Sequence, residues 1–143
     1  MRIRLLFLGK TRRPEIRALL EDYAHRLRRF TELEIHEVRE DSPAALRKIA
    51  TAAGATIVLL DARGKHMDSP RFAAWLGASR DRGVREIIFL CGAAKGFPPA
   101  MTGNANMRIS LSPLTFSHEL ARVMLAEQLY RAFAILAGHP YPK

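Results

Sequence analysis

The sequence predicts an α/β protein, a three-layer sandwich in which helices cover a mostly parallel sheet. Strand-like segments recur along the chain, amphipathic helical segments separate them, and two of the strand segments are apolar without interruption. Alternating strands and helices are typical of parallel sheets. Uninterrupted apolar strands are typical of sheets covered on both faces. The length of 143 residues, with no linker or low-complexity segment, predicts a single domain over residues 1–143.

The predicted strands are short and rich in Ile, Leu, Val and Phe. The two continuous apolar runs are Thr56–Leu60 and Ile87–Leu90, which we place at the centre of the sheet because both faces must be buried. The full set of predicted strands is Ile3–Leu8, Leu33–Val38, Thr56–Leu60, Glu86–Leu90 and Met107–Ile109.

Three helical segments lie between these strands. The first covers residues 14–30. The second begins with Ser42 as its N-cap and Pro43 in the first helical position, and it ends at Gly54. Asp68-Ser69-Pro70 repeats that opening for a third helix. The predicted inner faces are Ile16, Leu19, Leu20, Tyr23, Leu27 and Phe30; Leu46, Ile49, Ala50 and Ala53; and Phe72, Trp75, Leu76 and Ser79.

The last predicted helix, residues 117–136, is apolar around most of its circumference. A helix of this kind must bury more than one face. Either a second subunit covers the additional face, which predicts a homodimer, or the helix is simply central in its own chain.

The chain is strongly basic, with 23 Lys and Arg against 14 Asp and Glu, a net charge of +9 and a pI near 10.6. Such an excess favours an anionic partner, most often a nucleic acid. Nine basic residues lie within residues 1–30, and we expect Arg12, Arg13 and Arg17 to contact RNA phosphates. An ordinary solvated helix face is the alternative for any one of these residues.

Several classes of protein and site are disfavoured. A single cysteine, Cys91, excludes an internal disulfide framework and a Cys-rich zinc site. The five histidines lack ligand spacing, so no metal is expected. No apolar run is long enough for a membrane span, and the run Leu5–Leu8 is too short for a signal peptide, which predicts a cytoplasmic protein. Cys91, at a strand end, is expected to be a core residue rather than a nucleophile.

Three segments are candidates for function. Residues 91–96 form a Gly-containing turn after a buried strand, where ligands of open α/β sheets bind, although the turn is neither G-x-G-x-x-G nor a P-loop. Residues 109–119 are either a plain helix N-terminus capped by Ser117 or a loop whose backbone holds a polar ring such as adenine. The tail 138–143 is either frayed or part of a site.

The ordered set of motifs resembles one family. The matching segments are Leu8-Gly9-Lys10, Leu59 to Lys65, Ser69 to Ala73, the glycine turn, Leu111 to His118, Arg122-Val123, Glu127 to Ala132 and His139-Pro140-Tyr141. In this order they look like the ribosomal RNA large-subunit methyltransferase H family of the SPOUT class. The resemblance covers essentially the whole chain and is strongest from residue 59 onward.

The resemblance implies a C-terminal trefoil knot, S-adenosylmethionine as methyl donor, a homodimer, and N3 methylation of a pseudouridine in 23S rRNA of the assembled ribosome. By the same resemblance, His118 and Tyr141 lie near the target base as catalytic residues, where neutral His118 or a water positioned by Tyr141 assists loss of the N3 proton. His139 and Lys143 in the tail are expected to contact RNA. The implied cofactor contacts are Leu60, Gly92, Leu111, Ser112, Pro113, Leu114, Thr115 and Phe116.

The sequence departs from the family pattern at three places. Ala93 stands where a second glycine is usual, Lys95 where an acidic or polar residue is usual, and the stretch between Val38 and Thr56 is short. Two alternative hypotheses stay open: a non-catalytic RNA- or ribosome-binding module on the same fold, in which Ala93 and Lys95 have disrupted the cofactor turn, and a different nucleotide-binding α/β enzyme.

Overall fold

The computed structural model describes residues 1–39, 42, 44, 47, 54–103 and 105–141. Five strands and four helices follow one another in these ranges, in the alternation that the sequence predicts. They are β1 (Arg2–Leu8), α1 (Pro14–Leu27), β2 (Glu32–Val38), β3 (Thr56–His66), α2 (Ser69–Asp81), β4 (Glu86–Cys91), α3 (Pro99–Thr102), β5 (Met107–Ser110) and α4 (His118–Leu136).

The five strands form one sheet in the order β2-β1-β4-β3-β5, and every pairing is parallel. The predicted α/β class with a parallel sheet is therefore confirmed. All predicted strands exist, and β3 differs most, because it runs to His66 instead of Leu60. The carboxyl ends of β3, β4 and β5 meet at one edge of the sheet.

Helices α1, α2 and α4 pack together on one face of the sheet, and α4 contacts both α1 and α2. The core on this face includes Phe7, Phe89, Leu125 and Leu129. A smaller apolar cluster on the opposite face joins Leu6, Leu8, Ile57, Leu59, Ile88 and Leu90 to Ala93 and Met101 of α3. Central placement of α4 accounts for most of its apolar circumference.

Some local predictions were wrong. Leu19 is 44% exposed instead of on the inner face of α1. The helix ends at Leu27, whose carbonyl accepts the Phe30 N–H in a tighter final turn. Asp68, whose side chain accepts the Arg71 N–H, caps α2 one residue before Ser69. Most of the predicted second helix lies outside the described residues, but the Ser42 Oγ does accept the Ala44 N–H at 3.1 Å.

A bulge in β3 brings two backbones into contact. Leu60 and Lys65 both pair with Ile109, so the intervening residues project from the ladder. A Cβ added to Gly64 would lie 2.7 Å from the Arg108 carbonyl carbon. Glycine is therefore required here by the close approach of β5, a need that sequence reasoning did not identify.

Replacing Gly64 with alanine is expected to destabilise the fold by about 2 kcal/mol or more, because the added methyl group meets backbone atoms that cannot rotate away. Urea denaturation monitored by circular dichroism measures the loss. Gly103→Ala is the matched control, since its φ is −70° and no atom lies within 4 Å of the added Cβ. Equal stability of the two variants would contradict this account of the bulge.

Candidate functional site

A cavity of about 560 Å³ opens at the carboxyl ends of β3, β4 and β5. Three segments line it: the β3 bulge, the turn after β4 and the loop between β5 and α4. This is the edge at which ligands bind in open parallel sheets, and the volume falls in the range of small-molecule sites. The residues from the two functional segments predicted after β4 and β5 therefore come together in one place.

The turn after β4, residues 92–96, depends on two glycines. A Cβ at Gly92 would lie 2.9 Å from the Gly96 carbonyl oxygen, and Gly96 itself has a φ of +83°. The turn closes through paired backbone bonds: the Ala93 N–H donates to the Gly96 oxygen at 3.3 Å, and the Gly96 N–H donates to the Ala93 oxygen at 2.8 Å. Gly92 is thus needed so that the turn can fold back on itself.

Ala93 and Lys95, two of the three departures from the family pattern, fit this turn without strain. No described residue other than glycine has a positive φ, so Ala93 adopts ordinary backbone angles where a second glycine is usual. Lys95 is exposed at the tip of the turn. The turn therefore closes with ordinary backbone angles at Ala93 and with Lys95 exposed to solvent.

The loop between β5 and α4 is organised by serines. The Ser112 N–H donates to the Ser110 Oγ, the Ser110 hydroxyl donates to the Ser112 carbonyl, and the Leu114 N–H donates to the Ser112 Oγ. Ser117 caps α4 by accepting the Leu120 N–H, as predicted. The segment is therefore both a helix cap and an ordered pocket wall, so the two interpretations of it are compatible.

The structure brings most of the predicted cofactor residues to the cavity wall. Pro113 is the exception, because it is exposed and outside the lining, while its neighbour Leu114 is 72% exposed at the rim. The predicted residues that line the cavity are Leu60, Gly92, Leu111, Ser112, Leu114, Thr115 and Phe116.

A charged group on the cavity wall was missed as a site by sequence reasoning. Asp61 accepts the Arg63 N–H at 3.0 Å, and its other carboxylate oxygen lies 3.4 Å from the Arg108 guanidinium. The backbone bond from Arg63, then the nearby Arg63 and Arg108 charges, outweigh burial and lower the pKa of Asp61. The only signal in the sequence was the position of Asp61 directly after Leu60. Among the described lining residues Asp61 is the one carboxylate.

His118 lies at the cavity and begins α4. The next residue, Glu119, is buried, and its two carboxylate oxygens accept the backbone N–H groups of Arg12 and Arg13 at 3.1 Å each. The side chains of Arg12, Arg13 and Arg17 are exposed. The fold therefore brings Arg12 and Arg13 to the start of α4, next to His118, although more than a hundred residues separate them in the sequence.

Tyr141 does not share this cavity in its own chain. Its ring meets Tyr130 edge-on at 4.7 Å, lies 4.8 Å from the Arg131 guanidinium carbon, and donates its hydroxyl to Tyr23 at 3.4 Å. Tyr130 is twelve residues beyond His118, which is about 18 Å along α4. The structure therefore separates the two residues predicted to be catalytic.

The described part of the tail is attached to the body of the protein. The His139 N–H donates to the Ala134 carbonyl at 2.8 Å, and the His139 ring meets Phe30 edge-on. Burial, followed by the bond to Tyr23, raises the pKa of Tyr141, so its phenol is neutral at physiological pH. Lys143 lies outside the described residues.

Cys91 is buried at the end of β4, and this burial raises the pKa of its thiol to about 12. The thiolate form is therefore negligible at neutral pH, and Cys91 is the core residue that the sequence predicts. The part of the chain that the structure describes contains no group of three metal-ligating side chains. It also contains no helix both long and apolar enough to span a bilayer.

Known proteins resemble this chain over its full length. Residues 1–142 match the family described as "Predicted SPOUT methyltransferase". Proteins named Ribosomal RNA large subunit methyltransferase H are similar: one from Pelobacter propionicus is 42% identical over 99% of both chains. Those from Geobacter sp. strain M21 (42%) and Solibacter usitatus (43%) each match 99% of this chain, with 98% and 99% of the relative covered.

Proposed function

This chain belongs to the SPOUT methyltransferase family, and on that premise we propose that it transfers a methyl group from S-adenosylmethionine to N3 of a pseudouridine in 23S rRNA of the assembled ribosome. The trefoil knot predicted above comes with membership of this family. The names of the relatives support a ribosomal RNA substrate. The observation that carries the proposal is the single cavity in which seven predicted cofactor contacts meet His118.

The residues of the cavity fit S-adenosylmethionine. Apolar side chains from the β3 end and the β5–α4 loop offer a surface for adenine, and the Asp61 carboxylate offers a partner for an ammonium group. The volume of about 560 Å³ accommodates a nucleoside with an amino-acid arm. The cofactor, when bound, supplies an electrophilic methyl group on a sulfonium.

The protein itself must orient the base and accept a proton. Transfer requires the acceptor nitrogen in line with the methyl carbon at near-attack distance, which a rigid cavity enforces. The N3 proton of pseudouridine must leave, and the His118 imidazole on the cavity wall is the group that we propose accepts it.

The test is a methylation assay on 70S ribosomes from a strain lacking this protein, with radiolabelled S-adenosylmethionine. A methyl group on N3 blocks Watson–Crick pairing, so primer extension should stop at one position in 23S rRNA. His118→Ala should slow transfer by about 10²- to 10⁴-fold with cofactor affinity unchanged. Labelling of no ribosomal RNA, in the presence of demonstrated cofactor binding, would refute the proposal.

The alternative of a non-catalytic RNA-binding module rested on Ala93 and Lys95. The turn closes through paired backbone bonds with Ala93 and Lys95 in place, so neither residue disrupts it, and the geometry does not favour that alternative. Calorimetric titration with S-adenosylmethionine separates the two, because only the enzyme requires the cofactor.

Ribosome binding is expected to be strongly electrostatic. Replacing Arg12, Arg13 and Arg17 with alanine removes three exposed cations and should reduce the slope of log affinity against log salt by about 2–3. Filter binding over a range of salt concentrations measures this. Arg80→Ala on α2 is the matched control and should change the slope little. Salt-independent binding of the unaltered protein would contradict the expectation.

We propose that the working unit is a homodimer in the bacterial cytoplasm, where the ribosomes are. Leu120, Met124 and Ile135 remain exposed on α4, although most of the helix is buried in its own chain. The distance between Tyr141 and His118 within one chain also favours a second copy, because a tail can serve a cavity about 18 Å away along α4 only if another chain brings it there. The interface should bury at least roughly 1,000 Å² in total.

Light scattering should therefore give twice the mass of the 16.1 kDa chain at micromolar concentration. Met124→Glu places a charge on the exposed stripe and should shift the mass toward one chain. Leu19→Glu, on the exposed side of α1, is the matched control. A single-chain mass for the unaltered protein would reject the dimer.

A further inference from the structure

Arg122 on α4 is fully buried, with none of its surface exposed. Its Nη1 donates to the Thr11 Oγ1 at 2.8 Å, its Nη2 donates to the Leu8 carbonyl at 2.7 Å, and its guanidinium carbon lies 4.8 Å from the centre of the Phe7 ring. The Nε finds no acceptor among the described residues. Arg122 is thus a cation held inside the core with no carboxylate in direct contact among the described residues.

Stability does not explain such a residue. Burying a charged group is costly, and apolar replacements of similar volume often leave stability unchanged or improve it. Burial lowers the pKa of Arg122, which is the direction expected for a charge held away from water. The two acceptors of Arg122 give the more informative clue, because both belong to the same stretch of chain.

That stretch is Leu8, at the end of β1, together with the segment Gly9–Arg13 that joins β1 to α1, and the segment Gly9–Arg13 is here called the basic loop. It begins at Gly9, which has a φ of +86° and donates its N–H to the Val38 carbonyl. Arg122 holds its inner side at Thr11, whose N–H also donates to the Glu37 Oε2 at 2.7 Å.

Glu119 holds the far end of the basic loop. Its carboxylate accepts the N–H groups of Arg12 and Arg13, at the N-terminus of α1, where negative charge is favourable and where Arg13 provides no side-chain cap. Burial alone would raise the pKa of Glu119, but the two backbone bonds, helped by His118 and Arg122, lower it. The carboxylate is therefore ionised.

We propose that Arg122 and Glu119 are positioning residues that clamp the basic loop, so that the exposed side chains of Arg12 and Arg13 grip RNA phosphates beside His118. The inference rests on the proposed function. The clamp fixes the backbone of the loop from beneath while its cations face solvent. His118, Glu119 and Arg122 all lie within the first five residues of α4. The same helix therefore positions both the basic loop and the cavity residue His118.

Arg122→Met tests the clamp, because methionine fills similar space without donors. Ribosome affinity should fall about tenfold, since a loosened loop must be reordered on binding. Affinity for S-adenosylmethionine should stay within about twofold. Hydrogen exchange of the Arg12 and Arg13 amides should accelerate without any RNA present. Thr11→Val removes one acceptor with little change of shape and should act in the same direction, while Thr11→Ser keeps the hydroxyl and should behave as wild type.

Additivity separates positioning from general damage. If Arg122 acts through Arg12 and Arg13, adding Arg122→Met to the Arg12→Ala, Arg13→Ala pair should weaken ribosome binding no further. A full additional loss, or unchanged exchange in both Arg122→Met and Thr11→Val, would overturn the clamp. The unaltered protein could bind the cofactor but no ribosomes, while the Arg122→Met variant still shows accelerated exchange. That result would support the clamp on the loop backbone, but it would refute the proposed function and the binding of RNA phosphates by Arg12 and Arg13.

Discussion

A chain that ends at Gly138 is expected to lose methyl transfer by at least about 100-fold, while its affinity for S-adenosylmethionine stays within about twofold. The deleted residues 139–143 include Tyr141, which combines a flat aromatic face with a hydroxyl. The tail is held against α4 and not frayed as far as Tyr141. Its ring lies outside the cavity that we propose binds the cofactor in its own chain, so cofactor binding should not depend on it.

Two substitutions divide the roles of the Tyr141 side chain. The raised pKa keeps its phenol neutral, so the hydroxyl acts as a hydrogen-bond donor and not as a phenolate base. If stacking on the target base dominates, Tyr141→Phe should be mild and Tyr141→Ala should cost about 5- to 150-fold. Equal losses in both would assign the role to the hydroxyl.

Stability must be measured beside activity, because the truncation also removes the contacts of Tyr141 with Tyr130, Arg131 and Tyr23 and those of His139 with Ala134 and Phe30. The edge-on contact with Tyr130 alone is worth about 0.5–1.5 kcal/mol, so the truncated protein should be less stable but still folded. Circular dichroism and cofactor calorimetry are the controls. Full activity of the truncated and folded protein would show that the tail has no catalytic role.

Mixing two inactive variants tests whether the tail serves a second chain. One variant carries His118→Ala with an intact tail, and the other ends at Gly138 with an intact cavity. If tail and cavity come from different chains of a homodimer, random exchange should restore about a quarter of the wild-type activity. Recovery should be absent if each chain uses its own tail, and this outcome would contradict the composite arrangement.

The order of elements could be predicted because local patterns dominate it. Uninterrupted apolar runs become the central strands β3 and β4, and Ser117 caps α4 as its position indicates. The carboxyl-edge rule then brings the turn at Gly92 and the Leu111–Phe116 loop together without knowledge of the register.

What could not be predicted depends on contacts between distant residues. The requirement for Gly64 arises only because β5 crosses the β3 bulge, and no local pattern encodes that crossing. Leu19 belongs to an apolar stripe in sequence, yet it is exposed in the described chain. In the sequence, Arg122 looks like one of the few polar surface residues of a mostly apolar helix, and only the contacts with Thr11 and Leu8 in the fold give it partners.

Gly92→Val is expected to weaken S-adenosylmethionine binding by about 10- to 100-fold in a folded protein. The family resemblance predicts that Gly92 contacts the ligand, whereas the structure gives a more specific reason for the glycine. A single Cβ would already lie 2.9 Å from the Gly96 oxygen and 3.0 Å from its carbonyl carbon. Valine adds two further methyl groups, so the turn must open and the cavity wall must move.

Three glycine substitutions separate this effect from others. Gly92→Ala adds only the Cβ and should give a smaller loss in the same direction. Gly96→Ala meets no atom within 4 Å but must adopt φ +83°, so it tests backbone strain without a collision. Gly103→Ala, with neither problem, should bind as wild type. The collision at Gly92 involves backbone atoms of the turn itself. The loss of cofactor affinity should therefore be largest for Gly92→Val, smaller for Gly92→Ala and smallest for Gly103→Ala. Wild-type cofactor affinity in folded Gly92→Val would mean that the turn does not shape the cofactor site.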